Sequence, residues 1–313
     1  RDVDALVDWV GHEQKKTSGA TTTILKPAWE PTLFFPFAAP PVHGTLADSG
    51  DLFESQARLM LWGVERAIAG FSHIGADTNV QHKLHVVLPG SPNRGVFGGD
   101  GAYGEVKSAF DAIVNRARAE KVWSSRVTFA HPKIGWVRGT GLMGGNDPLV
   151  AVVERHGIRT YSTAQIAAKL LDLCTAESRE QALKAPLDVD LTGGLGSEPI
   201  DIKALRAEAM ADAASSVVEH FQGKIAFINV MKNLSVDCDC CAVAEDPCMK
   251  DIGILASLDP VAIDQACIDL VVNSDDPGKE HFMERVNSRN GIHTIEAAAE
   301  LGFGSRTYDL TEL

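Results

Sequence analysis

The apolar run Leu84-His85-Val86-Val87-Leu88 constrains this chain most, because of the residues on its carboxyl side. Ser91 comes three residues later, then a glycine-punctuated stretch from Gly95 to Gly104, then a helical period over 103–120. A short, almost wholly apolar run reads as a strand buried on both faces, the habit of parallel sheets. Strand, loop and helix in that order make one βα unit, and open α/β sheets bind ligands at the carboxyl ends of their strands. Ser91 stands at such an end. A helix starting near Asp100 puts Tyr103 and Lys107 one turn apart on one face, so a hydroxyl, a phenol and an ammonium converge where one carbonyl can meet all three. Tyr103 is then the proton donor, and the Lys107 ammonium lowers the phenol's pKa. A tyrosine and a lysine four apart are common on any helix; the glycine-rich approach, which lets backbone pass close to a ligand, favours a site. The residues alone point to ketone reduction.

The surrounding pattern fits that unit. Strand-like runs at 21–25, 32–35, 84–88, 126–130 and 187–191 alternate with helical periods at 52–70, 103–120, 148–156 and 163–173, the order of a mostly parallel sheet flanked by helices. Gly193, Gly194 and Gly196 break the pattern before a helical stretch at 202–221. A further strand at 225–230 leads into a loop rich in Cys and Asp, and helices are expected at 261–272, 280–288 and 294–301. Asp259-Pro260 reads as a helix cap followed by proline at the first helical position. The change in composition predicts two domains, 1–205 and 206–313.

Charge and cysteine usage narrow the partners. The 313 residues are 45% hydrophobic, enough for one large or two ordinary cores. A net charge of −13 argues against nucleic acid, which needs a basic face. No apolar run approaches the roughly 18–20 residues of a membrane span, and Arg1-Asp2-Val3-Asp4 lacks the basic and apolar regions of a signal peptide, so a cytoplasmic protein without a membrane partner is expected. Of six cysteines, Cys238, Cys240, Cys241 and Cys248 crowd one loop. In a cytosolic chain such crowding suggests ligands before disulfides, and thiolates select zinc or iron-sulfur iron. The spacing matches neither a ferredoxin run nor a paired zinc ribbon, so reduced structural cysteines and a redox dithiol stay open beside the metal reading. His281 and His293 are the nearest extra donors.

The segments Leu88-Pro89-Gly90-Ser91-Pro92-Asn93-Arg94-Gly95, Gly99-Asp100-Gly101-Ala102-Tyr103-Gly104-Glu105-Val106-Lys107 and Ile134-Gly135-Trp136-Val137-Arg138-Gly139-Thr140-Gly141-Leu142-Met143 resemble the β-ketoacyl reductase domain of bacterial and fungal type I fatty acid synthases. Phe35 to Pro40 and Asp190 to Leu195 support the match, which extends over about 1–205. The resemblance implies a Rossmann-like fold of the short-chain dehydrogenase/reductase type and NADPH-dependent reduction of a 3-oxoacyl chain, carried on acyl carrier protein, to the 3-hydroxyacyl form. It also implies other synthase domains as partners, and an oligomer. By the same resemblance Ser91 binds the ketone, Tyr103 donates the proton, and Lys107 binds the nicotinamide ribose. Ile134, Gly135 and Thr140 line the nicotinamide, and Ala38 with Ala39 let backbone approach the cofactor. Two departures stand out. Only Gly11 and Gly19 occur before residue 40, so the glycine-rich phosphate loop and the first strands of the domain are not recognisable, and the family's helix asparagine aligns with Gly63.

From about 215 onward the chain resembles instead the C-terminal part of an uncharacterised family, the domain of unknown function 362. The residues are Asn229-Val230, Asp237-Cys238-Asp239-Cys240, 251–257, 259–266 and the ending from Gly291 to Gly304. The whole is expected to be an α/β chain in which a partial reductase-type parallel sheet precedes a second, smaller α/β module. The rival readings are a metal or iron-sulfur module with an inactive reductase-like scaffold, and a composite of two unrelated polypeptides.

Overall fold

The computed structural model describes residues 2–197, 200–237 and 241–312. They form two compact units, one of residues 1–147 and 157–199, the other of 148–156 and 200–313. The first unit opens with helix α1 (Asp2–Gly11) and a hairpin of β1 (Gln14–Ser18) and β2 (Thr21–Lys26). The run at 21–25 therefore forms a strand, but an antiparallel one outside the parallel sheet. Gly19 at its tip has φ 62°, the left-handed region a tight hairpin turn demands. Lys26 ties hairpin to helix: its ammonium lies 5.1 Å from the Trp9 ring centroid and 4.3 Å from that of Trp29, and it donates to the Val10 carbonyl at 3.2 Å.

The parallel sheet has four strands: β3 (Leu33–Phe34), β4 (Leu84–Val87), β5 (Val127–Ile134) and β6 (Leu187–Leu191), lying side by side in chain order. Leu33 pairs with His85, Val86 with Phe129 and His131 with Asp188. Alternation along β4 sends Leu84, Val86 and Leu88 to one core and Val87 to another. Helices α2 (Asp51–Ala57), α3 (Gly63–His73), α4 (Tyr103–Ala119) and the short α5 (Lys121–Ser124) lie between β3 and β5 in the chain. Ile68 and Phe71 of α3 and Val106 and Phe110 of α4 fill the first core. On the other side of the sheet α7 (Thr163–Asp172) contributes Ile166 and Leu170 to the second, and α8 (Ala176–Lys184) leads into β6. Only buried apolar side chains face both cores, which is why β4 reads as an unbroken apolar run. His85 is the exception. Its ring nitrogens meet Thr128 Oγ1 at 2.8 Å and the Leu173 carbonyl at 3.0 Å, and burial pushes its pKa down, so it is a neutral, satisfied core histidine.

The helical period at 52–70 is realised as α2 and α3 joined through a π-helical turn at 58–62. Gly63 follows that turn, where a Cβ would stand 3.1 Å from the Arg58 carbonyl oxygen. The glycine at the position aligned with the family asparagine thus fits a crowded backbone.

The second unit holds α6 (Val150–Arg155), α9 (Ile202–Phe221), an antiparallel pair of β7 (Phe227–Met231) and β8 (Gly253–Ser257), and helices α10 (Pro260–Asn273), α11 (Lys279–Ser288) and α12 (Ile292–Glu300). Met231 and Leu255 of the strands pack on Ile263, Ala266 and Val271 of α10. Asp259 Oδ1 accepts from the Val261 and Ala262 amides at 2.8 and 2.9 Å, with Pro260 in the first turn, as the sequence predicts.

Candidate active site

β3, β4 and β5 run parallel, so their carboxyl ends share one edge of the sheet. Ser91 leaves that edge after β4, just past Gly90, which bridges to Lys133. The segment carrying Ser91 is held from both ends by one network. His131 of β5 donates through Nδ1 to the Leu88 carbonyl at 2.9 Å, and its Nε2 meets Asp111 Oδ1 at 2.9 Å. The other oxygen of Asp111 accepts from Arg94 at 2.8 Å. Burial pushes the Asp111 pKa up, but the bonds from His131 and Arg94 outweigh it and hold the carboxyl below its ordinary range. Gly90 is required here, because a Cβ would come within 2.8 Å of the His131 ring.

Between Ser91 and the helix, Asn93 organises the loop. Its amide N–H donates to Ser91 Oγ at 3.1 Å, its side-chain nitrogen donates to Asp100 at 2.7 Å, and its side-chain oxygen accepts from the Gly95 amide at 2.9 Å. Gly95, Gly98, Gly99 and Gly101 all take positive φ, between 58° and 86°, which explains the glycine run in conformational terms. Helix α4 begins at Tyr103 rather than at Asp100, leaving Asp100 in the loop beside the phenol. Its N-cap residue is Ala102, which has no side-chain acceptor to offer. Gln56 of α2, 1% exposed, accepts from the Ala102 amide at 2.7 Å, so the start of α4 is fixed from the neighbouring helix.

Ser91, Tyr103 and Lys107 are brought together as the spacing predicts. The Ser91 hydroxyl stands near enough to the Tyr103 phenol to act on its pKa, and its one geometric hydrogen bond among the described residues is from the Asn93 amide. Lys107 lies one turn along α4, 7% exposed, with Nζ 5.4 Å from the Tyr103 ring centroid and 4.6 Å from that of Phe110. The electrostatics depart from expectation. Burial pushes the Tyr103 pKa up, the Ser91 hydroxyl opposes it and the charge of Asp100 adds to it, so the phenol is raised rather than lowered. Lys107 points its ammonium at the Pro89 carbonyl at 2.8 Å, and burial lowers its own pKa to about 8. That bond uses one of three donors and leaves two.

The residues assigned to the cofactor divide. Ala38 and Ala39 are exposed in the loop after β3, and Ile134 is half-buried at the carboxyl end of β5. Gly135 has a reason of its own: a Cβ would stand 2.1 Å from the Thr192 carbonyl oxygen, so glycine is demanded by the approach of the chain after β6. The Thr140 hydroxyl is committed to its own turn, donating to the Val137 carbonyl at 3.1 Å and accepting from the Met143 amide at 3.3 Å. Asp147 closes the same loop through the Gly139 amide at 2.8 Å. Gln56, Asn93, Asp111, His131 and Asp147 are supports that the sequence does not single out. Asn93 lies inside the motif around Ser91; the others come from distant segments and carry no local signal.

Among the described residues the cysteine loop builds no comparable centre. Cys238 and Cys240 lie outside the described residues. Cys241 is exposed, and Cys248 is half-buried beside Leu234 and Met249, its thiol donating to the Leu234 carbonyl at 3.5 Å. Among the described residues no group of three or more His, Cys, Asp or Glu is placed to hold a metal. His281 and His293, offered as extra donors, are engaged by carboxylates instead: His281 with Glu245 at 2.8 Å, and His293 with Glu208 at 3.2 Å. No described helix is long and apolar enough to cross a membrane.

Comparison with known proteins adds two likenesses. A family model described as a domain of unknown function (DUF362) matches residues 136–269. The fatty acid synthase alpha subunit aflA of Aspergillus parasiticus is 40% identical over 171 residues, 54% of this chain and 10% of that protein. The fatty acid synthase subunit alpha of Saccharomyces cerevisiae is 34% identical over 201 residues, 64% of this chain and 10% of that protein. The chain thus spans about a tenth of the length of these relatives. Among solved structures, 4-hydroxyisoleucine dehydrogenase complexed with NADH aligns with a TM-score of 0.45 at 14% identity, over 54% of this chain and 70% of that one. A putative 2-deoxy-d-gluconate 3-dehydrogenase from Agrobacterium tumefaciens with bound NADP aligns with a TM-score of 0.44 at 13% identity, over 53% and 68%. The chain is therefore similar to fungal fatty acid synthase alpha subunits over somewhat more than half its length, and resembles the domain of unknown function DUF362 from Trp136 to Asp269.

Proposed function

We propose that the first unit is an oxidoreductase that reduces a 3-oxoacyl chain, presented as a thioester on acyl carrier protein, to the 3-hydroxyacyl form with NADPH. The observation that carries this reading is the juxtaposition of Ser91 and Tyr103 at the carboxyl edge of the sheet, with the buried Lys107 one turn behind. The similarity to fatty acid synthase alpha subunits supplies the substrate class. The residues present fit a nicotinamide cofactor at one point above all: Lys107 keeps two unspent donors in a buried place, suited to ribose hydroxyls.

When bound, the reduced nicotinamide supplies a hydride to the ketone carbon. Everything else falls to this chain. Ser91 donates to the ketone oxygen and orients it, and Tyr103 gives its proton to that oxygen as negative charge develops. The phenol is raised by burial and so is fully protonated before the reaction, as a general acid must be. Tyr103 is also the first residue of α4, where the positive end of the helix dipole eases the phenolate left behind. Lys107, with a pKa of about 8, is charged at neutral pH and favours the same phenolate.

The test is consumption of NADPH by the whole chain with a 3-oxoacyl thioester. Tyr103→Phe is expected to lower the rate by about a hundredfold or more. Wild-type protein with no thioester-dependent consumption, or a Tyr103→Phe variant within about threefold of it, overturns the reading.

A further inference from the structure

The amino edge of the parallel sheet, opposite Ser91 and Tyr103, carries a cleft of about 370 Å³. Thr32, just before β3, Lys83, just before β4, and Thr128 of β5 form one wall, and Arg179 and Glu180 of α8 form the other. Arg179 is the anomaly in it. Its Nε is buried without a hydrogen-bond partner, and its guanidinium makes no ion pair among the described residues, although Glu180 is its neighbour in the chain. A guanidinium stays charged at any physiological pH, so this charge has no means of neutralising itself. A buried donor without an acceptor is costly enough that one is normally found satisfied.

Lys83 repeats the situation less sharply. Its ammonium donates to the Ser125 carbonyl, which leaves two donors, and it has no carboxylate partner among the described residues. The histidines of the cleft are engaged elsewhere. His85 is pushed down by burial, with the Arg179 charge acting in the same direction, and both its nitrogens are occupied. His82 places Nε2 2.8 Å from the Pro31 carbonyl oxygen and Nδ1 4.0 Å from Glu30. Of the residues that line the cleft, one carboxylate, Glu180, stands against the two cations Arg179 and Lys83, with Glu30 behind His82, in a chain whose net charge is −13.

We propose that this cleft is an oxyanion site that takes a phosphate group, gripped by the planar fork of Arg179 with Lys83 as a second point charge. Planar forks bind phosphate bidentately, and an ammonium binds it as a point charge from any side. The volume exceeds what a bare phosphate fills, and Thr32 with Gln81 offer further donors to whatever the phosphate is attached to. The site is separate from the proposed reductase centre and does not depend on it.

The measurement is a calorimetric titration of the whole chain with inorganic phosphate and, separately, with glycerol phosphate as a simple ester, at matched ionic strength. Saturable binding is expected, weakened about tenfold or more in Arg179→Gln and a few-fold in Lys83→Gln, as loss of a charge-assisted contact implies. Glu180→Gln removes the opposing charge without touching the grip, so it is expected to tighten binding about threefold or more, and it keeps the test alive if Arg179→Gln does not fold. Tighter binding of the ester identifies the phosphate as part of a larger ligand; equal or weaker binding identifies free phosphate. Absence of saturable binding overturns the proposal. So does binding that all three variants leave unchanged, or binding displaced by NADPH and indifferent to Arg179→Gln.

Discussion

Two loops in this chain come after an apolar strand and are dense in residues that carry chemistry, yet among the described residues only the first brings such side chains together. The loop after β4 returns into α4 with Ser91, Asn93, Asp100, Tyr103 and Lys107 each engaged by a neighbour. The loop after β7 also closes on itself, but through carboxylates: Asp237 accepts from Arg285 at 3.0 Å and from the Glu245 amide at 3.2 Å, and Asp251 accepts from the Asn233 amide at 2.9 Å. Of its described thiols, Cys241 is exposed and Cys248 is half-buried in an apolar cluster. The difference between the two loops is support from elsewhere in the fold. His131, Asp111 and Gln56 reach the first loop from β5, α4 and α2, whereas the second leans mainly on Arg285 and His281 of α11.

Lys107→Met sharpens this comparison most, because it moves activity and stability in opposite directions. Burial lowers Lys107 to about 8 from an ordinary 10.5, so the folded state holds this proton more weakly than the unfolded chain does. The charged form therefore costs stability below about pH 8, and the cost fades as pH rises from there toward 10.5. Methionine fills similar space without the charge. The expected outcome is a loss of reductase turnover of about a hundredfold together with a gain of about 1–3 kcal/mol in stability at pH 7, read by denaturant titration. A variant that is inactive and also less stable contradicts a functional reason for burying this charge.

Gln56→Leu comes next. It removes the acceptor of the Ala102 amide at the start of α4 and leaves that buried donor unsatisfied, a cost of about 1–3 kcal/mol. Gln56→Glu keeps an acceptor oxygen and is expected to recover part of the NADPH-dependent rate. If both variants match wild type in rate and in midpoint of unfolding, the support from α2 is irrelevant to the site.

The third prediction concerns the second unit, where Glu208 takes His156 on one oxygen at 2.9 Å and His293 on the other at 3.2 Å. The bond to Glu208 is the main cause raising the His293 pKa above its ordinary 6.5, against burial and with help from Glu296. That contribution is fully present below pH 6.5 and is lost as pH rises through the raised value. Glu208 itself is pushed up by burial but held below 4.5 by bonds from both histidines, so its share is present above pH 4.5 and lost in more acid solution. Melting of the wild type is expected to be highest between about pH 4.5 and 6.5 for this cluster, and His293→Gln is expected to flatten the fall above pH 6.5. An unchanged profile in that variant removes the cluster as the cause.

How much of this is legible in the sequence depends on the range of the interactions. β4 and β5 announce themselves through apolar runs and β6 through the alternation of Leu187, Val189 and Leu191 with Asp188 and Asp190, and the pairing of Tyr103 with Lys107 comes from helical spacing alone. The hairpin strand β1, Gln14–Ser18, is wholly exposed and polar, so it carries no burial pattern to read. β8 is hidden for a related reason: Gly253, Ile254 and Ala256 are exposed and only Leu255 of that strand is buried. The supports of the site are illegible because each is a contact across long sequence separation, such as Gln56 to Ala102 or His131 to Asp111. The direction of the Tyr103 shift is misjudged from sequence because spacing shows that Lys107 is near the ring, but not that the fold buries the phenol and sets Asp100 beside it.

The smallest effect decides what the cysteine loop is for. Cys241 is exposed, and the described residues give it no partner, so Cys241→Ser is expected to change stability by no more than about 0.5 kcal/mol. Cys248 is half-buried in an apolar cluster, and Cys248→Ser puts a hydroxyl where a thiol packed, a loss of about 1 kcal/mol. Thiolates acting together on one metal make the opposite forecast, since removing any ligand of a structural site costs the binding energy that holds the loop folded. Unfolding curves of the two variants, with and without a strong chelator, separate the cases. A small and unequal pair of losses, indifferent to chelator, leaves the cysteines as packing and surface residues. A large loss in both, reproduced in wild type by chelator, gives the second loop the cooperative centre that the first has.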